Sequence, residues 1–400
     1  MPHSQDDQAV ISPSIEVVEM LRILFELSSA EFVVSEKPTL AGVDIDRFQQ
    51  LVARNRISTL AAHYFESGAA REMSASLPSI VAEARGERRL SFSRHLELRR
   101  LEEKILGPGK IKYAVLKGGL IDATLYGGQF LRQSSDIDIL VEPERVREVV
   151  EKLLESGYQF SHERWVGHPV PAVCKYSAVV EMSRPGALQI EVHKSLDEHS
   201  IIFPAVTDLD FPRTKVCGFD LPGLAEPVNT LYMIFHHSRH RWSCLHWVMD
   251  LIRLCKTLSN PDRVALSHAA ENMGLRRTVD EAFKLERDLA LVAAGGSLEG
   301  LDLSLFTLEC LYRVGLSNDE AASLKARSVS TEPDFAFAWQ RPRGYDLKAA
   351  VSRLGPGENE YRLMPQLSGS AIGMCLVRAF TLSMHFGSRL ASSVRSRSAD

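Results

Sequence analysis

Asp136 and Asp138 are carboxylates one residue apart inside a run, Ser134 to Val141, that otherwise reads as a buried strand. Side chains alternate faces along a strand, so both acids point one way while Ile137 and Ile139 point the other. Burying an unpaired carboxylate is costly, and two on one face imply a cation between them. Paired hard oxygen donors are what Mg²⁺ asks for. An isolated D-x-D on a solvent-facing edge would carry no such meaning. The apolar residues Ile137, Ile139 and Val141 argue instead for a strand with a buried face.

Two further groups fit the same chemistry. Lys117-Gly118-Gly119 ends a short apolar run that starts at Tyr113, where a strand would turn into a helix. Glycines there let a backbone approach a ligand closely, and free N–H groups at a helix start bind phosphate. Leu188 to His193 alternates, with Leu188, Ile190 and Val192 on one face and Gln189, Glu191 and His193 on the other. Glu191 is the expected third carboxylate. Glu181, closing another apolar strand, competes for that role, but Glu191 has polar neighbours on its own face, as a wet site would require.

The elements that must position these groups follow from periodicity. Ile15 to Leu27, Phe48 to Tyr64 and Ile80 to Leu106 carry apolar residues at helical spacing, the last with an Arg/Glu face, and Gly107-Pro108-Gly109 ends it. Tyr113 to Leu116 and Ser134 to Val141 read as strands, and Gly118 to Tyr126 and Pro143 to Ser156 as helices. The region from Tyr158, Ala172 to Met182 and Leu188 to His193 read as further strands. Helices return from Glu226, with Asn229 the expected N-cap. A Pro- and Gly-rich stretch, Ser328 to Leu367, precedes a last helix near Ser370 to Leu390. The expected class is α+β: a small mixed-sheet core over 108–225, flanked by helical regions over 1–107 and 226–400.

A Gly-Gly turn, a D-x-D strand and an acid on a separate strand form a set. In it the chain resembles the polymerase-β-like nucleotidyltransferase superfamily, and more closely an uncharacterised bacterial nucleotidyltransferase family within it. The residues that carry the resemblance are Val115 to Gly119, Leu125-Tyr126, Leu131-Arg132, Asp136 to Val141, Glu191-Val192-His193 and the segment His236 to Asp250. One departure is the sixteen residues between Gly119 and Asp136, more than typical members of the superfamily have. The resemblance implies an NTP substrate. It implies Mg²⁺, or Mn²⁺ in its place, held by Asp136, Asp138 and Glu191, with Glu191 beside the attacking oxygen of the acceptor. Lys117, Gly118, Gly119, Arg132 and His193 become nucleotide-binding candidates.

His236 to Asp250 concentrates imidazole, guanidinium and indole groups. His236 and His240 are four apart, on one face if the segment is helical. Zinc is disfavoured, because no H-E-x-x-H glutamate or third ligand accompanies them. Packing accounts for Trp247 and Leu251, while His240 and Arg241 are expected to line the nucleotide or acceptor site, with Asp250 holding one of them.

The bulk properties bound the partners. A formal net charge of −4 supplies no broad field for long nucleic acid. Six cysteines without C-x-x-C spacing read as free thiols of a reducing compartment. No signal-peptide pattern opens the chain, and the apolar stretch Ala371 to Phe386, interrupted by Arg378, is too short to span a bilayer. A cytoplasmic location with no membrane partner is expected. The leading expectation is ATP- or other NTP-dependent transfer of NMP to a hydroxyl-bearing acceptor, a small molecule or peptide ahead of a protein or RNA. A fold-retaining nucleotide-binding or scaffolding protein, and a γ-phosphate phosphotransferase, are the alternatives.

Overall fold

Amphipathic helices account for most of the chain in a computed structural model. It describes residues 13–28, 40–66, 77–184, 188–197, 200–296, 298, 301–328, 344–345, 347–348, 351, 357–367, 370 and 372–381. In chain order the elements are α1 (Ile15–Ser28), α2 (Ile45–Arg54), α3 (Ser58–Glu66), α4 (Pro78–Leu101), β1 (Tyr113–Val115), α5 (Gly119–Tyr126) and β2 (Asp136–Val141). There follow α6 (Val146–Glu155), β3 (Gln159–Phe160), α7 (Val170–Tyr176), β4 (Val179–Ser183), β5 (Gln189–His193), β6 (Arg213–Val216) and β7 (Phe219–Pro222). Helices α8 (Val228–Arg239), α9 (Leu245–Thr257), α10 (Asn260–Asn272), α11 (Arg276–Ala293), α12 (Leu305–Val314) and α13 (Asn318–Ser328) come next, with a later helix at Glu358–Leu363. The class is α+β, as expected, with one five-stranded sheet in the order β1-β2-β5-β4-β3 and a separate β6–β7 hairpin.

The chain divides into two compact units. One comprises 1–101, 114–137 and 210–341; the other comprises 102–113, 138–209 and 342–400. The first has a helical core to which α1 contributes Met20, Leu21, Leu24 and Phe25, α8 Leu231 and Phe235, and α11 Leu285 and Leu289, all essentially inaccessible. In the second, β3 pairs with β4 and β4 with β5, both antiparallel. The alternation read from the sequence sets the faces of β4 and β5: Val180, Met182, Ile190 and Val192 are buried, and the residues between them are partly exposed.

Several elements differ from their sequence expectation for local reasons. Phe48 to Tyr64 is two helices, because Arg56 takes a left-handed φ of 54° and Asn55 ends α2. The Asn55 amide donates to the carbonyls of Leu51 and Val314, both at 2.9 Å, and so replaces the helix bonds lost at the break. Ala172 to Tyr176 is helical, not extended: Pro169 and Pro171 occupy the cap and the first turn of α7, where proline's missing N–H costs nothing. The long helix over Ile80 to Leu106 closes with a π-helical turn, Glu102–Leu106, in which the Gly107 N–H bonds to the Glu102 carbonyl at 2.9 Å. Asn229 lies inside α8, whose cap is Pro227. The expected last helix is described only over 372–381; its remainder lies outside the described residues. No helix among the described residues is long and apolar enough to cross a membrane.

The core of the first unit also holds imidazoles. His237 and His246 are fully or almost fully buried, and burial first, then the Arg132 charge, pushes both well below the ordinary value of 6.5. The unfolded chain therefore binds more protons than the native one below about pH 6.5, so stability rises with pH there and levels off above it. Urea midpoints measured from pH 7.5 to 5.0 should fall on acidification, each of these two histidines contributing up to about 1.4 kcal/mol per pH unit below 6.5. A flat profile across that window would remove the buried neutral histidines from the account.

Candidate active site

Three ligand-bearing side chains converge on the sheet of the second unit. Asp138, from β2, and Glu191 and His193, from β5, present ligand atoms that all lie within 4.8 Å of one another. His193 Nε2 is 2.9 Å from Asp138 Oδ1 and 3.4 Å from Glu191 Oε2. Asp138 is 3% exposed. Strand alternation is the reason the group exists: Glu191 and His193 are two residues apart on β5 and share its polar face.

That polar face extends to β4. Glu181 stands directly opposite Glu191 in the ladder, a like-charge pair that is unfavourable on its own. Gln189 Nε2 donates to Glu181 Oε2 at 3.0 Å and reaches Glu191 Oε1 at 3.4 Å, while His162 Nε2 is 3.0 Å from Glu181 Oε1. The two glutamates weighed against each other in the sequence thus occupy one face, but only Glu191 belongs to the group with Asp138. A divalent cation fits this donor set. Two carboxylates supply hard oxygens, and the imidazole nitrogen adds a ligand that Mn²⁺ accepts more readily than Mg²⁺.

The first unit builds the glycine turn. Gly118 takes a φ of 55° at the start of α5, a conformation that side chains rarely adopt. A Cβ on Gly119 would lie 2.8 Å from His95 Nε2, so only glycine lets α4 and this turn approach so closely. Lys117 Nζ lies 3.4 Å from His236 Nε2. Burial first, then the Lys117 charge, keeps that imidazole well below its usual pKa and hence a neutral acceptor for the ammonium. Asp136, at the start of β2, accepts from the hydroxyls of Ser134 and Ser135 at 3.4 and 3.0 Å. Its strand places it two residues from Asp138, as the D-x-D spacing requires.

The sixteen-residue spacing between Gly119 and Asp136 has a structural cause. Asp122, buried on α5, accepts the backbone N–H groups of Phe130, Leu131 and Arg132, each at 3.0 Å. Ser58 N–H donates to Gln133 Oε1 at 2.8 Å, and the Thr59 hydroxyl donates to the Leu131 carbonyl. The insertion is therefore a tightly held connection between the turn and β2.

Arg132, Arg241 and His240, expected on the nucleotide, each have protein neighbours in the structure. The Arg132 guanidinium is 3% exposed and grips Asp250, with Nη2 at 2.9 Å from Oδ2 and Nε at 3.0–3.1 Å from both oxygens. Burial works against its charge, but the Asp250 carboxylate, together with Tyr126 and Asp136, raises its pKa. The Tyr126 hydroxyl donates to Asp250 Oδ1 at 2.7 Å. Asp250 thus holds Arg132, not His240 or Arg241. Arg241 bonds to Glu309 at 3.1 Å. His240 is exposed and stacks on Trp247 at 5.1 Å. His236 and His240 do not share one continuous helix with Asp250: α8 ends at Arg239, and Arg241 and Trp242 take left-handed φ values of 59° and 51° before α9 begins. Trp242 is fully buried beside Phe306, and Trp247 is only partly so.

Residues 41–290 match the model of a family described as an uncharacterised nucleotidyltransferase. The chain belongs to that family. A search of curated proteins returns no match. The matched span includes Lys117-Gly118-Gly119, Asp136, Asp138, Glu191 and His193, so the carboxylates and the turn lie inside the family's region.

Arg94 and His95 on α4 were missed by the sequence reading, which assigned their helix a polar Arg/Glu face. The available signal was helical spacing: Ser91, Arg94, His95 and Leu98 form one buried stripe, and a charged residue in such a stripe needs a reason.

The Arg132–Asp250 pair yields a stability test. Asp250→Ala should destabilise the protein by about 3–5 kcal/mol in urea unfolding, because it leaves the Arg132 charge buried without a partner. The double variant Arg132→Leu with Asp250→Leu should recover most of that loss. A single variant within about 0.5 kcal/mol of wild type would show the pair to be dispensable.

Proposed function

We propose that this protein is a Mg²⁺-dependent nucleotidyltransferase that moves NMP from an NTP to a hydroxyl-bearing acceptor. Membership of a nucleotidyltransferase family supports the general reaction. The observation that carries the finer reading is the convergence of Asp138, Glu191 and His193 within 4.8 Å. Asp136 and Asp138, on one strand, together with Glu191 would hold the divalent ion. When bound, that ion neutralises charge on the transferring phosphoryl group and favours in-line displacement at the α-phosphorus.

The chain's own groups do the rest. No side chain caps the start of α5 at Gly118, so its first N–H groups are the candidate phosphate donors, with Lys117 alongside. Glu191 is partly exposed, as a group that must meet an incoming acceptor hydroxyl should be, and it can accept that hydroxyl's hydrogen bond and orient the oxygen. His193 Nε2, 2.9 Å from Asp138 Oδ1 and 3.4 Å from Glu191 Oε2, positions Glu191 for that contact. Most of the catalytic power then comes from positioning. The net charge of −4 favours a small molecule or peptide acceptor over long nucleic acid.

Incubation of the full chain with α-labelled and γ-labelled NTPs, Mg²⁺ and a panel of hydroxyl-bearing acceptors tests the reading. Label should move from the α position, with pyrophosphate released. Asp138→Asn should lower turnover by about 10²-fold or more while the thermal midpoint holds. Transfer from the γ position only would replace this reading with phosphotransfer, and the absence of either would leave nucleotide binding alone.

A further inference from the structure

Arg94 is an unusual residue for the middle of a helix core stripe. It is 7% exposed, and its Nε and Nη1 atoms are buried with no hydrogen-bond partner among the described residues. Burial lowers its pKa, opposed by the Glu87 and Asp136 charges and reinforced by Arg56. A guanidinium is planar, permanently charged and built for two parallel hydrogen bonds to an oxyanion. Natural proteins rarely leave such a group buried and unpaired unless something else completes it.

Its surroundings within the first unit indicate what that is. His95, the next residue on α4, is 3% exposed; its Nδ1 meets the Ser91 carbonyl at 2.7 Å, and its Nε2 has no partner and faces Gly119. A Cβ on Gly118 would lie 3.8 Å from the Asp136 carbonyl, so the glycine turn adjoins the strand start whose carboxylate acts on Arg94. Arg56 Nη1 reaches the Ser135 hydroxyl at 3.4 Å, next to Asp136. Cationic groups from α4 and from the α2–α3 break, the open backbone of a helix start and one acidic strand end are thus gathered in one place. Such a set has the chemistry to receive a polyanion.

We propose that Arg94 is a phosphate-binding residue that grips the β,γ-phosphates of the nucleotide against the Gly118-Gly119 turn. The identity of the anion rests on the nucleotidyl-transfer reading above; the need for an oxyanion at Arg94 rests on the residue itself. Arg94 is empty-handed in the free protein by design, since a permanent carboxylate partner would compete with phosphate. Asp136 instead accepts the Ser135 hydroxyl at 3.0 Å, while the Ser134 hydroxyl lies 3.0 Å from its backbone carbonyl and 3.4 Å from Oδ1.

The test is calorimetric titration of the full chain with inorganic tripolyphosphate and Mg²⁺, which needs no transfer reaction. Arg94→Met should weaken binding by about 30-fold or more, the loss of a bidentate charge-assisted contact. Its thermal midpoint should stay level or rise, because an unpaired buried charge has been removed. Arg94→Lys, which keeps the charge and loses the fork, should bind about 10-fold more weakly than wild type. The proposal is overturned if wild type does not bind tripolyphosphate, or if Arg94→Lys binds it as wild type does. It is overturned equally if Arg94→Met lowers the midpoint while leaving affinity unchanged, the signature of a counter-ion for Asp136. Arg94-dependent tripolyphosphate binding without α-label transfer would sink the transfer reading and leave this one standing.

Discussion

The stretch that leads into Asp136 is held from four helices of the first unit, and the candidate phosphate turn depends on that restraint. Asp122 on α5 takes three successive backbone N–H groups, at Phe130, Leu131 and Arg132. Asp250 on α9 takes the Arg132 side chain, and the start of α3 holds Leu131 and Gln133. His95 on α4 packs edge-on against Phe130, whose left-handed φ of 56° would not persist without such over-determination. Two buried carboxylates are expensive to desolvate, and each is kept because it is fully bonded. The result is a connection rigid enough to deliver Asp136 beside the glycine turn despite its length.

The sheet of the second unit uses a different economy. Asp138, Glu191 and Glu181 crowd negative charge on one face, and the ladder puts the two glutamates opposite each other. His193 and His162 interleave with them, and Gln189 spans the glutamates. Such a face is stable only with cationic or hydrogen-bond-donating company, which makes it receptive to a divalent ion. Polar residues on alternate positions of β4 and β5 create it, while Val180, Met182, Ile190 and Val192 anchor the opposite side in the core.

Legibility in the sequence followed the range of the forces involved. Strand alternation is a local property, so the common face of Glu191 and His193 and the spacing of Asp136 and Asp138 could be read directly. The glycine turn was equally legible, because Gly118 and Gly119 sit at a strand-to-helix change. The break between α2 and α3 was not, since the groups that stabilise it include the Val314 carbonyl, distant in sequence. The helix over Ala172 to Tyr176 was not legible as one, because the prolines that start α7, Pro169 and Pro171, lie before that segment.

Residue types and their periods by themselves determined the α+β class, the shared polar face of Glu191 and His193 and the glycine turn at the start of α5. Only the tertiary structure decided which charged side chains are already committed. Arg132 and Arg241, attractive as phosphate cations in sequence, are paired to Asp250 and Glu309, 118 and 68 positions away respectively. Arg94, which looked like part of a solvated face, is buried without a hydrogen-bond partner among the described residues. The physical reason is that pairing in a core is settled by three-dimensional proximity and desolvation, to which the order of residues along the chain is nearly blind.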